Sequence, residues 1–130
     1  MRVYIAEKPS VGRELAKCLT GPVTRRDGYL VTKDGVVTWL FGHILRQAEP
    51  QEYDARYKRW RAEDLPILPE PFRYVLAKGK EDAFQNLKRL MERPDVTELV
   101  NACDAGREGE LIFRLVYEMA GCRKPFSRLW

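Results

Sequence analysis

A chain of 130 residues that is 45% hydrophobic and 32% charged can bury the core of one ordinary domain, which excludes a disordered segment. Its net charge of +4 admits an anionic partner, nucleic acid first among them. Three cysteines (Cys18, Cys103, Cys122) without a C-x-x-C pair exclude a disulfide framework and a zinc site, and no run is apolar and long enough to span a membrane.

Met1-Arg2 leads straight into a strand, Arg2-Val3-Tyr4-Ile5-Ala6, rather than into a signal peptide, so the expected setting is reducing and cytoplasmic. Glu7-Lys8-Pro9-Ser10 follows at the carboxyl end of that strand. Pro9 suits the first turn of a helix. Val11, Leu15, Cys18 and Leu19 mark one face of it, and Thr20-Gly21-Pro22 stops it. Next, residues 28–32 and 36–41 flank Lys33-Asp34-Gly35, a hairpin signal, and Gly42-His43 follows the second strand. His43 is the only histidine; its ring suits a hydrogen bond to a backbone phosphate and equally a structural place.

Between Arg46 and Pro71, four prolines (Pro50, Pro66, Pro69, Pro71) leave no room for a long element. Such stretches inside a compact domain are often functional. Here Arg56-Tyr57-Lys58-Arg59-Trp60-Arg61 sets four basic and two aromatic residues in six positions. Cations contact phosphates and aromatic rings stack on unpaired bases. The same pattern also fits an amphipathic turn that packs Tyr53, Tyr57 and Trp60 on the core and leaves its cations solvated. Residues 72–76 alternate like a strand, and Glu81 to Arg93 reads as a helix with Phe84, Leu87 and Met91 on one stripe.

The most informative stretch comes next. A β-prone run, residues 96–100, leads into Asn101-Ala102-Cys103-Asp104-Ala105-Gly106-Arg107-Glu108-Gly109-Glu110, and residues 111–120 then show helical spacing closed by Gly121. In open α/β sheets the crevice between such a strand and its helix is where ligands bind. Three carboxylates within seven residues, Asp104, Glu108 and Glu110, suit a hard cation such as Mg²⁺. Acids are also favoured at helix N-termini as caps, so the bland reading stands beside the functional one. Cys103 is expected to end a buried strand as a small hydrophobe. If this strand and the first are parallel neighbours, Glu7 and Asp104 emerge on the same sheet edge and form an acidic site. Residues 127–130 look like the beginning of another strand, cut short, and no internal repeat or linker divides the chain.

Taken in order, Ile5-Ala6-Glu7-Lys8-Pro9-Ser10, Gly42-His43, Arg56-Tyr57-Lys58-Arg59-Trp60 and Asp104-Ala105-Gly106-Arg107-Glu108-Gly109-Glu110 resemble the N-terminal toprim domain of bacterial type IA DNA topoisomerases, most of all topoisomerase III. The resemblance covers essentially the whole chain, taken as one toprim domain over residues 1–130. It implies a Rossmann-like α/β fold: a mainly parallel sheet flanked by helices, with an inserted hairpin and an irregular basic segment. It implies an isomerase that cuts one DNA strand through a tyrosine, passes another strand through the gap and reseals it without ATP.

By this resemblance Glu7 handles the proton of the 3′ oxygen, and Lys8 stabilises charge on the scissile phosphate. Glu7 and Asp104 hold Mg²⁺, with Glu108 as a further ligand. Lys8, His43, Arg59 and Arg107 turn toward a single-stranded segment of DNA. One departure stands out: the wider toprim pattern is Asp-x-Asp-x-Glu, and Gly106 occupies the middle position. A single, weakly held ion is therefore expected. The catalytic tyrosine of the family lies in a later domain, and the six tyrosines here fall in strands, a helix or the basic segment. The chain is thus expected to be a fragment, inactive alone and partnered by the remaining domains. A free-standing toprim module, or another toprim enzyme such as a primase or nuclease, is the alternative; Gly42-His43 and Tyr57 to Trp60 favour topoisomerase III.

Overall fold

A computed structural model describes residues 1–130. The chain begins with β1 (Arg2–Ala6), α1 (Pro9–Cys18), β2 (Thr24–Arg26), β3 (Tyr29–Val31) and β4 (Gly35–Trp39). It continues through β5 (Leu45–Gln47) and α2 (Pro50–Tyr53), then two 3-10 turns at Ala55–Lys58 and Ala62–Asp64. It closes with β6 (Tyr74–Leu76), α3 (Glu81–Glu92), β7 (Glu98–Ala102), α4 (Arg107–Met119) and β8 (Phe126–Arg128).

Six strands form one sheet in the order β2-β3-β4-β1-β7-β8. The central strand β1 is parallel to both neighbours, β4 and β7, and β8 is parallel to β7. Its unbroken apolar run Val3-Tyr4-Ile5-Ala6 is what a strand covered on both faces requires. Side chains alternate across it. Val3 and Ile5 join Val36, Leu40 and Leu99 in the larger core with Phe84, Leu87 and Met91 of α3 and Ile112, Phe113 and Val116 of α4. Tyr4 faces the other way, packing with Val37, Val100 and Ala16 of α1. The result is a three-layer sandwich with α1 on one face and α3 and α4 on the other. Loss of the fully buried Phe113 ring would cost about 3–5 kcal/mol.

The expected fold class is therefore present, with four adjustments. β2 was not anticipated, since Thr24-Arg25-Arg26 is wholly exposed and carries no alternation; it pairs with β3 as an edge. The strand expected over residues 72–76 is shorter and leaves the central sheet, pairing as β6 with the unanticipated β5. β7 runs to Ala102, because Asn101 pairs with Ile5 and satisfies its buried side chain locally. The last strand begins at Phe126, one residue early, and the Leu129 N–H adds a bond to the Asn101 carbonyl at 3.0 Å. No helix is long and apolar enough to cross a membrane.

Candidate active site

The register Trp39–Ala6–Ala102 ends β4, β1 and β7 at one level, so the residues after each emerge on one carboxyl edge. Two backbone bonds continue the β1–β4 ladder: the Leu40 N–H donates to the Ala6 carbonyl (2.8 Å) and the Gly42 N–H to the Glu7 carbonyl (3.1 Å). Glu7 is buried to 9% exposure, and its Oε2 accepts the Asp104 N–H at 3.3 Å. Parallel pairing thus brings together the two acids that the sequence separates by 97 positions.

Beneath them lies Cys103, buried as expected, with its Sγ 3.7 Å from the Ile5 carbonyl. Burial pushes its thiol up to about 12, and the charge of Glu7 adds to that rise. A neutral thiol there supports the edge without competing for a cation.

The three acids of the turn part company. No side chain caps α4, whose N-cap is Gly106, so the Asp104 carboxylate is not spent as a helix cap. Glu108, in the first turn of α4, has its Oε1 2.5 Å from His43 Nε2. Glu110 accepts from Arg114 Nε (2.8 Å), Arg128 Nε (2.8 Å) and Asn101 Nδ2 (3.0 Å). The guanidinium groups of Arg114 and Arg128 hold its carboxyl below the usual range. Glu110 is therefore a strut. Arg128, with a side chain only 15% exposed, also donates to the carbonyls of Cys103 (3.0 Å) and Asp104 (3.4 Å) and so clamps the acidic turn from β8.

Glu7, His43, Asp104 and Glu108 thus share one edge, yet no three histidine, cysteine or acidic side chains converge closely enough to hold a metal by themselves. Glu108 is turned to His43 rather than to Glu7 and Asp104. What the edge offers is a pair of hard oxygen donors, Glu7 and Asp104, beside open space, since a Cβ at Gly106 would meet nothing within 4 Å. That donor set fits Mg²⁺, which commonly takes one or two carboxylates and completes its shell with water and phosphate.

Lys8 stands exposed at the N-cap of α1, and Arg107 is exposed at the start of α4. Arg59 ends the first 3-10 turn and lines a basic recess of about 410 Å³ with Arg56, Lys58, Arg61 and Asp64. Trp60 is 82% exposed, so it does not pack on the core as an amphipathic turn would have it. Tyr53 does serve structure: its hydroxyl accepts the Arg73 N–H at 2.7 Å. Sequence reasoning missed Asn101 and Arg128. Only the spacing of Glu110 and Arg114, four apart on one helix, hinted at this network.

The toprim domain model matches residues 2–130. The chain belongs to the toprim domain family. This toprim domain is 46% identical over 128 residues to DNA topoisomerase 3 of Bacillus subtilis (strain 168), covering 98% of the chain. It is 47% identical over 128 residues to that of Bacillus licheniformis, again over 98% of the chain, and 42% identical over 129 residues to that of Shouchella clausii, over 99%. In each case the domain spans 18% of the relative's length.

Proposed function

We propose that this toprim domain is the acid–base and metal-holding part of a type IA DNA topoisomerase III, working with the remaining domains of that enzyme on a single-stranded DNA segment in the cytoplasm. The observation that carries the reading is the Glu7–Asp104 contact at the shared edge of β1 and β7. The similarity to DNA topoisomerase 3 enzymes favours this reading over a primase or nuclease. Three free cysteines suit a reducing compartment.

Glu7 is placed to move a proton. In cleavage the phenolate oxygen of a tyrosine of another domain bonds to phosphorus as the P–O3′ bond breaks, and the departing 3′ oxygen takes the proton of the Glu7 carboxyl. In resealing the 3′ hydroxyl returns that proton to the Glu7 carboxylate and attacks the phosphotyrosine, whose P–O bond breaks. Lys8, without a side-chain partner, neutralises charge on the scissile phosphate. Glu7 and Asp104 would hold Mg²⁺, joined by Glu108 once it leaves His43, and the ion would neutralise and position that phosphate. His43, Arg59 and Arg107 supply donors to the DNA backbone, a sequence-independent contribution that weakens as salt rises.

The test is a chimera in which this domain replaces the corresponding segment of the Bacillus subtilis relative. It should relax negatively supercoiled DNA with Mg²⁺, and Glu7→Gln should slow relaxation by about 100-fold or more. Relaxation untouched by Glu7→Gln would overturn the assignment. A chimera that binds DNA but never cleaves it would favour a binding module instead.

A further inference from the structure

A second recess, of about 480 Å³, opens between the β2–β3 turn, the end of β4 and the start of α3. Asp27, Thr38, Phe41, Lys80, Asp82 and Asn86 line it. The Phe41 ring is 50% exposed, and the Lys80 ammonium sits 5.4 Å from its centroid. Trp39 also borders the recess, while Cε3 of its indole lies against Gly12 of α1. The Thr38 hydroxyl is spent on the Gly28 carbonyl at 2.9 Å. The side chains of Asp27, Asp82 and Asn86 hold no hydrogen bond or ion pair within the chain, and Lys80 touches only the Phe41 ring, so these polar groups and the uncovered part of the ring can meet a ligand.

The charges select what enters. Asp27 and Asp82 accept but do not donate, which repels a phosphate. Lys80 over the ring repels a cationic side chain. A flat, neutral ligand with a donor-rich edge is left, and among the bases guanine offers the most donors on one edge, its N1–H and N2 amino group. Phe41 stands two residues before His43, at most about 7 Å of extended chain, so a base lodged here belongs to a nucleotide close to the Glu7 edge.

We propose that this recess is a pocket for an unpaired guanine of the bound strand, stacked on Phe41 and read by Asp82 and Asn86, with Lys80 beside the O6 and N7 acceptors. The proposal rests on the carboxyl edge being a DNA site. It would give the enzyme a base preference beside the scissile phosphate.

The test uses the full chain and three oligothymidylates of eight nucleotides: one unchanged, one with a central guanine, one with a central hypoxanthine, which lacks the N2 amino group. Guanine should bind about tenfold tighter than either alternative, with amide shifts at Phe41, Lys80 and Asn86. Phe41→Ala should cost about tenfold, and Asp82→Asn should erase the guanine–hypoxanthine difference while preserving the fold. Equal binding of the three strands, shifts confined to Glu7 and Asp104, or no binding at millimolar strand would each overturn the pocket. The chimera keeps the two readings apart: loss of its strand cleavage with the guanine preference intact removes the topoisomerase reading alone, and the reverse removes the pocket alone.

Discussion

Gly109 and Asp104 touch so closely that a Cβ on Gly109 would lie 2.2 Å from the Asp104 carbonyl oxygen. The acidic turn folds back onto the first turn of α4, and only a residue without a side chain leaves room for it. The neighbouring atoms are backbone, so they cannot swing aside as a side chain would. Gly109→Ala should therefore shift the Asp104 backbone and cost about 1–3 kcal/mol despite the better helix propensity of alanine. Urea unfolding gives the cost, and the amide shifts of Asp104 and Gly106 show whether the turn moved. An alanine variant as stable as the parent, with unchanged shifts, would refute the close approach.

Arg128 should be irreplaceable by lysine. Its planar fork reaches the Glu110 carboxylate and the Cys103 carbonyl at once, and an ammonium cannot match that geometry. Arg128→Lys should cost about 1–2 kcal/mol at neutral pH. The pH dependence follows in sign from Glu110, whose carboxyl is held down by Arg114 and then Arg128. A depressed carboxyl stabilises the fold above its ordinary unfolded value, and that contribution fades as pH falls through the folded value. The parent should lose stability progressively below the ordinary glutamate range, and Arg128→Lys should shrink that loss. Urea midpoints measured from acid to neutral pH would show both effects.

The sequence made β1, α1, the β3–β4 hairpin, α3, β7 and α4 legible because each couples a strong period to a turn or stop residue. The Glu7–Asp104 meeting followed from a single topological assumption, parallel neighbours, which the register bears out. Strands of three residues such as β2 and β5 are too short to show a period, and their pairing is a tertiary fact. The fates of Glu108 and Glu110 were illegible for another reason. Two positions along a helix turn a side chain by about 200°, so these acids face different neighbours. Which one faced His43 and which faced Arg128 depended on residues far away in the chain, 65 and 18 positions respectively.

Cysteine reactivity separates the buried edge from the surface. Cys18 is exposed, whereas Cys103 is buried and its thiol is pushed up to about 12. Since the thiolate is the reactive form, iodoacetamide at pH 8 should label Cys18 in the native chain and spare Cys103 until the chain is unfolded in urea. Peptide mass mapping reads this directly. Rapid native labelling of Cys103 would mean that the floor beneath Glu7 is open to solvent.

Gly106 is the sharpest test of how the edge holds a cation. Its backbone (φ −159°, ψ 173°) is extended, a conformation any residue adopts, and a Cβ there meets nothing within 4 Å. Gly106→Asp should therefore fold normally and add a third carboxylate beside Glu7 and Asp104. We expect Mg²⁺ to bind about tenfold tighter by calorimetry, equivalent to about 1.4 kcal/mol. Glu108→Gln should weaken binding far less than Asp104→Asn in the parent domain, because His43 already engages Glu108. If Gly106→Asp brings no gain and Glu108→Gln proves as harmful as Asp104→Asn, the third ligand is Glu108, released from His43 when the cation arrives. If the gain appears and Glu108→Gln is mild, the domain holds its cation with two carboxylates and leaves the remaining positions to water and the DNA phosphate.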